Sequence, residues 1–235
     1  MKLKIKMIDF NKLIDNYFSR EFRRKPIGRY YPSEIGGCLR KTWFSYKIPK
    51  PLDKDVIRIF EAGNRMHDLI ADVIKSERNP EVELLEEELP FKINRGNFLI
   101  SGRIDDLVLV KINNKRVLIE VKSAKFLPNE AKESHVSQLQ LYMHSTGVYN
   151  GVILYVQKDN LQTKWFEIDY NPSEVQKILA RFDNLHYNLN SNKLPVAEAK
   201  LVKDKNWMCG YCEYKDECDK HDLDETPYKD PQKTL

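Results

Sequence analysis

The sequence predicts an α/β fold in which helices flank a mixed central β-sheet. Three helix-like segments come first, three strand-like segments follow, and a further helix separates these from two more strands. Helices followed by a strand meander and a crossover helix are typical of an α/β sandwich. The chain of 235 residues is 41% hydrophobic, which is enough for one sizeable core.

The N-terminal third predicts three helices. Residues 9–24 form a charged amphipathic pattern, and Ser33 is placed to cap a short helix that runs through Cys38 to Tyr46. Residues 55–75 then repeat apolar side chains at helical spacing.

The strands follow from alternation and from β-branched content. The predicted strands are residues 82–93, 98–112 and 115–123, with turns at 94–97 and at Asn113 and Asn114. The remaining predicted elements are a helix over 130–146, strands over 151–157 and 163–169, and a helix from Pro172 to about Leu189. We therefore expect a main domain over residues 1–204, a Cys-rich segment over 205–218 and a flexible tail over 219–235.

The composition of the chain says more about its cellular location than about its binding partner. The net charge of +4 is compatible with many substrates. Lysines interrupt the apolar residues of Met1–Phe10, which is not typical of a signal peptide, and no apolar run approaches the roughly 20 residues of a membrane span. We expect a cytoplasmic protein without a membrane partner.

A basic and aromatic segment follows the first predicted helix. Cations that neutralise phosphates and rings that stack on bases suit a nucleic-acid strand, although a solvated basic face is the simpler alternative. The candidate DNA-binding residues are Arg20, Arg23, Arg24, Arg29, Tyr30 and Tyr31.

Three charged residues lie in otherwise apolar strands. Glu120 and Lys122 are two apart and share a face. If the hairpin pairs Ile112 with Lys115, Asp105 lies opposite Lys122 and diagonal to Glu120. Two carboxylates at this spacing can hold Mg²⁺ or Mn²⁺, and a lysine beside them can stabilise charge that develops on a phosphate. The alternative is a salt bridge between Asp105 and Lys122.

Two helices contribute further candidates. His67 lies one turn after Gly63, where a glycine allows another element to come close, and an imidazole can bind a metal. Gln138 and Tyr142 are four residues apart on the helix over 130–146 and share a face, from which they could grip a DNA backbone.

In this order, the motifs resemble the RecB-type branch of the PD-(D/E)xK nucleases, whose core is restriction-endonuclease-like. The resemblance implies metal binding by His67, Asp105 and Glu120, with the backbone carbonyl of Val121 as a further ligand. It also implies a catalytic Lys122, with Gln138 and Tyr142 as accessory site residues. Asp106 offers a second carboxylate, but alternation points it to the other face, so it ranks below Asp105.

Four cysteines form a separate candidate site: Cys38, followed late in the chain by Cys209, Cys212 and Cys218 in a C-x2-C-x5-C pattern. Structural disulfides are not expected in a reducing compartment. Four thiolates are a full ligand set for a [4Fe–4S] cluster or for zinc, and the spacing alone does not choose between them.

The order of one early and three late cysteines resembles the CRISPR-associated iron–sulfur nucleases, and AddB-type helicase–nucleases share it. Residues 32–41 and 209–212 match the first family well. This resemblance implies a [4Fe–4S] cluster that braces the fold, and exonuclease and endonuclease action on single-stranded DNA ends. It further implies the trimming of DNA fragments for CRISPR arrays beside integrase proteins, and it leaves a homo-oligomer open. The alternatives are a viral or mobile-element nuclease, a zinc-stabilised nuclease and a non-catalytic nucleic-acid-binding module.

Overall fold

The structure, a computed structural model, describes residues 8–228. Its strands are β1 (Arg29–Tyr30), β2 (Val82–Asn94), β3 (Leu99–Val110), β4 (Lys115–Ala124), β5 (Asn150–Gln157), β6 (Thr163–Asp169), β7 (Lys193–Leu194) and β8 (Thr226–Pro227). In this part of the chain a six-stranded sheet has the order β1-β3-β4-β5-β6, with β2 also paired to β3, and β7 pairs with β8 separately. The pairing of β4 with β5 is parallel and that of β3 with β4 is antiparallel, so the predicted mixed sheet is confirmed.

Helices cover both faces of the sheet. The longer ones are α1 (Phe10–Tyr17), α2 (Leu39–Lys47), α3 (Lys54–Lys75), α4 (Glu133–Thr146) and α5 (Pro172–Ser191), and the short ones are α6 (Glu198–Leu201), α7 (Trp207–Gly210) and α8 (Lys215–Cys218). On one face, Ile70 of α3 packs against Val121 and Val156. On the other face, Trp43, Leu139 and Phe182 of α2, α4 and α5 belong to the larger core. The two layers of helices bury the carboxylate-bearing strand β4 from both sides.

Most predicted elements are confirmed with small shifts of their ends, but two N-terminal helices differ. The predicted helix over 9–24 ends at Tyr17, because α1 buries none of its side chains and has no packing to extend it. The predicted helix from Ser33 to Tyr46 is divided into a 3-10 turn over Pro32–Glu34 and α2. Two glycines lie between them, and a Cβ on Gly36 would lie 2.4 Å from the Cβ of Ser134, so the chain passes α4 too closely for any other residue.

The predicted register of the β3–β4 hairpin is wrong by two residues. Val110, rather than Ile112, pairs with Lys115, and residues 111–114 form the turn, in which Asn114 has a φ of +54°. A four-residue turn therefore replaces the expected two-residue one. Because the shift is even, every side chain keeps its predicted face.

Arg40 joins helix α2 to residues 195–224 by a set of hydrogen bonds that we call the clasp. Its guanidinium is fully buried and donates to the carbonyl oxygens of Pro195, Asp222, Leu223 and Asp224. The indole of Trp43 donates to the carbonyl of Asn188 over 3.1 Å. The segment from residue 219 was expected to be a flexible tail, but its described part, up to Tyr228, contacts the rest of the domain. The remainder of that expected tail, residues 229–235, lies outside the described residues. The same is true of residues 1–7, which are most of the Met1–Phe10 segment.

Replacing Arg40 by methionine should lower the free energy of unfolding by at least about 3 kcal/mol. The reason is that four carbonyl oxygens lose a charged donor, and the contact with the Pro195 carbonyl is buried, where water cannot replace it. Urea unfolding followed by tryptophan fluorescence measures the loss. Lys41→Met is the matched control, because Lys41 makes a half-exposed ion pair with Glu213 and should matter far less. Equal losses in the two variants would contradict the role of the clasp.

Candidate active site and cysteine cavity

The predicted carboxylates and lysine come together where β3 changes its partner. The start of β3 pairs with β1, its end pairs with β4, and Asp105 lies next to the last β3–β4 pair, Asp106 with Ile119. An Asp105 carboxylate oxygen accepts the backbone N–H of Val121 over 2.7 Å. This bond holds Asp105 against the strand that carries Glu120 and Lys122.

Glu120 and Lys122 form an ion pair on the face of β4 that points towards α4. Glu120 is only 1% exposed, and burial raises its pKa to about 7 against the opposing effect of Lys122. Burial also opposes the charge of Lys122, but Glu120 and Asp105 outweigh it and raise the pKa of the lysine. The Oε2 atom of Glu120 is buried without a hydrogen-bond partner in the described part of the chain, which is costly unless a cation meets it.

His67 reaches Asp105 from α3. Its Nδ1 lies 3.3 Å from the Oδ1 of Asp105. Burial lowers the pKa of His67, but the hydrogen bond to Asp105 and the charges of Asp105 and Glu120 together outweigh it, so the pKa is raised. A Cβ on Gly63 would lie 3.4 Å from the Oγ of Ser123, an ordinary contact, so α3 and β4 are close without needing a glycine there.

The donor set fits a hard divalent ion chemically, since it combines two carboxylates with an imidazole. Within residues 8–228, however, no three His, Cys, Asp or Glu side chains are arranged closely enough to hold a metal ion. In the arrangement seen, Lys122 is the cation that meets Glu120. Asp106, ranked lower from the sequence, is buried opposite Ile119, and burial raises its pKa to about 7.

Gln138 and Tyr142 share a face of α4 as expected, but they differ in their contacts and in their burial. Lys122 Nζ lies 3.4 Å from Gln138 Oε1, and the Gln138 amide donates to the Tyr142 hydroxyl. Tyr142 is buried and packs edge to face on Phe91 with ring centroids 5.0 Å apart. Because Tyr142 is 2% exposed and its hydroxyl accepts from Gln138, it offers no surface for the expected grip on a DNA backbone.

Two residues beside Lys122 were missed by the sequence analysis. Tyr155 of β5 is the parallel partner of Lys122, and its hydroxyl lies 2.8 Å from Nδ1 of His135. His135 is three residues before Gln138 on α4, so helical spacing carried a signal for it. Tyr155 carried none, because its place depends on the pairing of two distant strands.

Three of the candidate DNA-binding arginines already have partners. Arg20 pairs with Glu61, and Arg23 pairs with Glu21 over 2.9 Å. Arg29 donates to the hydroxyl of Ser101 over 3.0 Å.

The remaining candidates divide between surface and core. Arg24 is exposed, and the guanidinium of Arg29 lies 5.9 Å from the ring centre of Tyr31. Tyr30 is 0% exposed and hydrogen-bonds to His186 over 2.8 Å. It cannot stack on a base, because β1 places it in the core, and it leaves the candidate set.

The four cysteines are free thiols that line one cavity of about 320 Å³. Cys38 is the N-cap residue of α2, Cys209 lies in α7 and Cys218 ends α8. Burial raises the pKa of Cys209, and the charges of Cys38 and Cys218 add to this effect, so these thiols are close enough to interact.

Cations surround this cavity. Nη1 of Arg40 lies 3.9 Å from Sγ of Cys218. Lys200 also lines the cavity and pairs with Asp219 over 2.6 Å. Thiolates bound to a metal centre carry negative charge, which these cations offset. Ser134, next to His135 on α4, lines the same cavity.

Comparisons with known proteins identify the superfamily and the fold. A family model for the PD-(D/E)XK nuclease superfamily matches residues 18–219. The CRISPR-associated exonuclease Cas4 of Saccharolobus solfataricus is 26% identical over 152 residues, which are 64% of this chain and 66%, just under two thirds, of that relative. The crystal structure of SSO0001 shares the fold with a TM-score of 0.60 and 22% identity, covering 88% of this chain and 92% of that one.

Proposed function

Because the chain belongs to the PD-(D/E)XK nuclease superfamily, we propose that it cleaves DNA with Mg²⁺ or Mn²⁺ bound by His67, Asp105 and Glu120. The Val121 carbonyl is the proposed backbone ligand beside them. The observation that carries the proposal is the buried Glu120, whose Oε2 has no hydrogen-bond partner in residues 8–228 and which lies beside a second carboxylate. Such a pair is costly unless cationic charge offsets it.

The reaction is phosphodiester hydrolysis, in which the divalent ion supplies Lewis acidity and lowers the pKa of a water molecule. Lys122, whose pKa is raised, stays protonated and stabilises the negative charge that develops on the phosphate. Gln138 orients Lys122, and Tyr142 in turn orients Gln138. A non-catalytic binding module would not need this chain of contacts to a buried lysine.

The proposed substrate is single-stranded DNA or a DNA end, in the cytoplasm. The name of the Saccharolobus solfataricus relative, a CRISPR-associated exonuclease, supports a role in trimming fragments for CRISPR arrays, with integrase proteins as partners. A viral or mobile-element repair nuclease of the same fold is the alternative, and a homo-oligomer is compatible with either. No helix within residues 8–228 combines the length and apolar character of a bilayer span.

The four cysteines are proposed to hold one [4Fe–4S] cluster that joins the segment over 205–218 to the N-terminal part of the nuclease domain over 1–204. The support is a cavity of about 320 Å³ lined by all four thiols and flanked by Arg40 and Lys200. A single zinc ion would draw four sulfurs to within about 2.3 Å of one point. Zinc bound by the same four thiols is therefore the alternative.

Cleavage of end-labelled oligonucleotides tests the nuclease proposal. We expect degradation of a single strand with Mg²⁺ or Mn²⁺, slower degradation of the matching blunt duplex, and none with EDTA. A circular single strand separates endonuclease from exonuclease action. Cleavage in EDTA would contradict the metal dependence, and equal rates on the single strand and the duplex would contradict the substrate preference.

DNA binding should weaken as the salt concentration rises, and Arg24 should account for most of the salt dependence that the basic segment contributes. Replacing Arg20, Arg23 and Arg24 together by alanine should reduce the slope of log K against log salt concentration, and Arg24→Ala alone should reduce it by about 0.7, the value for one phosphate contact on a single strand. The other two arginines are already paired with carboxylates.

Fluorescence anisotropy in EDTA at several salt concentrations measures the slope. Lys115→Ala is the control, since this exposed lysine starts β4 and lies seven residues, roughly 23 Å, from Lys122. An unchanged slope in the triple variant would place the DNA path away from the basic segment.

A further inference from the structure

We propose that His135 is a substrate-binding residue whose Nε2–H donates to a phosphate oxygen of the DNA strand, at the phosphate next to the scissile one. This proposal rests on the proposed nuclease function and extends the same site by one contact. It assigns a role to a side chain that lies outside the predicted motifs.

The position of His135 follows from two independent elements. On α4, residues 135, 138 and 142 repeat at helical spacing, so His135 lies one turn before Gln138 on the face that meets Lys122. On the sheet, Tyr155 is the parallel partner of Lys122, and parallel partners point to the same face about 4.8 Å apart. His135 contacts Tyr155, so Lys122, Gln138, Tyr155 and His135 form one continuous patch.

The hydrogen bonds of Tyr155 fix the tautomer of His135. The backbone N–H of Lys132 donates to the Tyr155 hydroxyl over 3.0 Å, so the hydroxyl accepts there. Tyr155 is 1% exposed, and Nδ1 of His135, 2.8 Å away, is the one acceptor for its hydroxyl proton among the described residues, so Nδ1 is unprotonated and accepts that proton. The neutral ring therefore carries its hydrogen on Nε2.

The Nε2–H is available for a ligand. His135 is partly exposed, and its Nε2 has no hydrogen-bond partner among the residues described. Burial, and after it the charges of Lys122 and Lys132, lowers the pKa of His135 to about 3, which agrees with a neutral ring. A neutral donor beside Lys122 can hold a phosphate oxygen without adding a second positive charge next to the lysine.

Two substitutions separate the two nitrogens of the ring. The side chain of His135→Asn places an oxygen near the position of Nδ1 and keeps the acceptor for Tyr155, but it lacks a donor at Nε2. His135→Gln places an N–H near Nε2. We expect His135→Asn to weaken binding of a fluorescein-labelled single-stranded oligonucleotide about tenfold, with an unchanged melting temperature. His135→Gln should restore most of the affinity.

Anisotropy titrations in EDTA give the affinity without cleavage, and ring-nitrogen NMR on histidine-labelled wild type gives the tautomer directly. We expect a protonated Nε2 whose resonance shifts when the oligonucleotide is added. A protonated Nδ1, an Nε2 signal that DNA does not move, or wild-type affinity in a folded His135→Asn variant would overturn the proposal. Failure of the nuclease proposal looks different, since the wild type itself would then not cleave the oligonucleotide with Mg²⁺ or Mn²⁺, whatever its affinity.

Discussion

Replacing Glu120 by glutamine should reduce DNA cleavage at least about a hundredfold while the protein stays folded. Glutamine keeps the shape of the side chain but removes the negative charge that the proposed metal site needs. Burial raises the pKa of Glu120 because a charged carboxylate is costly at this position, and a neutral glutamine does not incur that cost. The variant should therefore unfold at the same temperature as the wild type or higher.

Cleavage of a labelled single strand and calorimetric binding of Mn²⁺ measure the two consequences. Both should be lost in Glu120→Gln. Glu167→Gln is the matched control, since Glu167 is an exposed carboxylate on β6, a strand of the same sheet. Undiminished cleavage by pure Glu120→Gln would reject Glu120 as a metal ligand, and a variant that binds Mn²⁺ normally but cannot cleave would move the ligand role to other residues.

The second large effect concerns the cysteine cavity. Changing Cys38, Cys209, Cys212 or Cys218 to serine should remove most of the iron from anaerobically purified protein. A serine hydroxyl is a poor ligand for iron–sulfide chemistry, and thiolates are the preferred one. Cys38 is the most informative position, because it caps α2 far from the other three in sequence. Loss of the Cys38 thiol should also lower the melting temperature, since the cluster would no longer connect α2 to α7 and α8.

Iron, labile sulfide and zinc are measured together, with visible absorbance as a check. Ser33→Ala is the control, because Ser33 lines the same cavity and offers no thiol. Full iron content in Cys38→Ser would contradict the four-ligand arrangement. About one zinc per chain without iron or sulfide would replace the cluster with a zinc site and leave the nuclease proposal intact.

The fold could be predicted because its elements are long and regular in sequence. β2, β3 and β4 each have ten or more residues, and the helix from Pro172 begins at a clear N-terminal signal. The register of the hairpin could not be predicted in the same way. Alternation fixes which face a residue occupies, but turns of two and of four residues both preserve that alternation, so the pattern does not decide between them.

The residues of the candidate site also fall into two groups, those that the sequence predicts and those that depend on the tertiary fold. Asp105, Glu120 and Lys122 were found because charged groups are rare inside apolar strands. Tyr155 could not be found, since its relation to Lys122 exists only after β4 and β5 pair. Tyr30 was wrongly predicted to contact DNA for the opposite reason. It follows an exposed basic segment in sequence, but the two-residue strand β1 places it in the core.

The clasp around Arg40 has a consequence for how the protein is made. Arg40 bonds to carbonyl oxygens up to 184 residues further along the chain, and the partner of Trp43 is 145 residues away. A ribosome releases α2 before the carbonyl groups that bind Arg40, which are synthesised 155 to 184 residues later. The guanidinium and the indole therefore stay exposed to water or bound to a chaperone until residues 188–224 have been made, and contacts of such long sequence separation form slowly. A chain released before residue 222 would lack most of these partners and should be a substrate for cellular proteases.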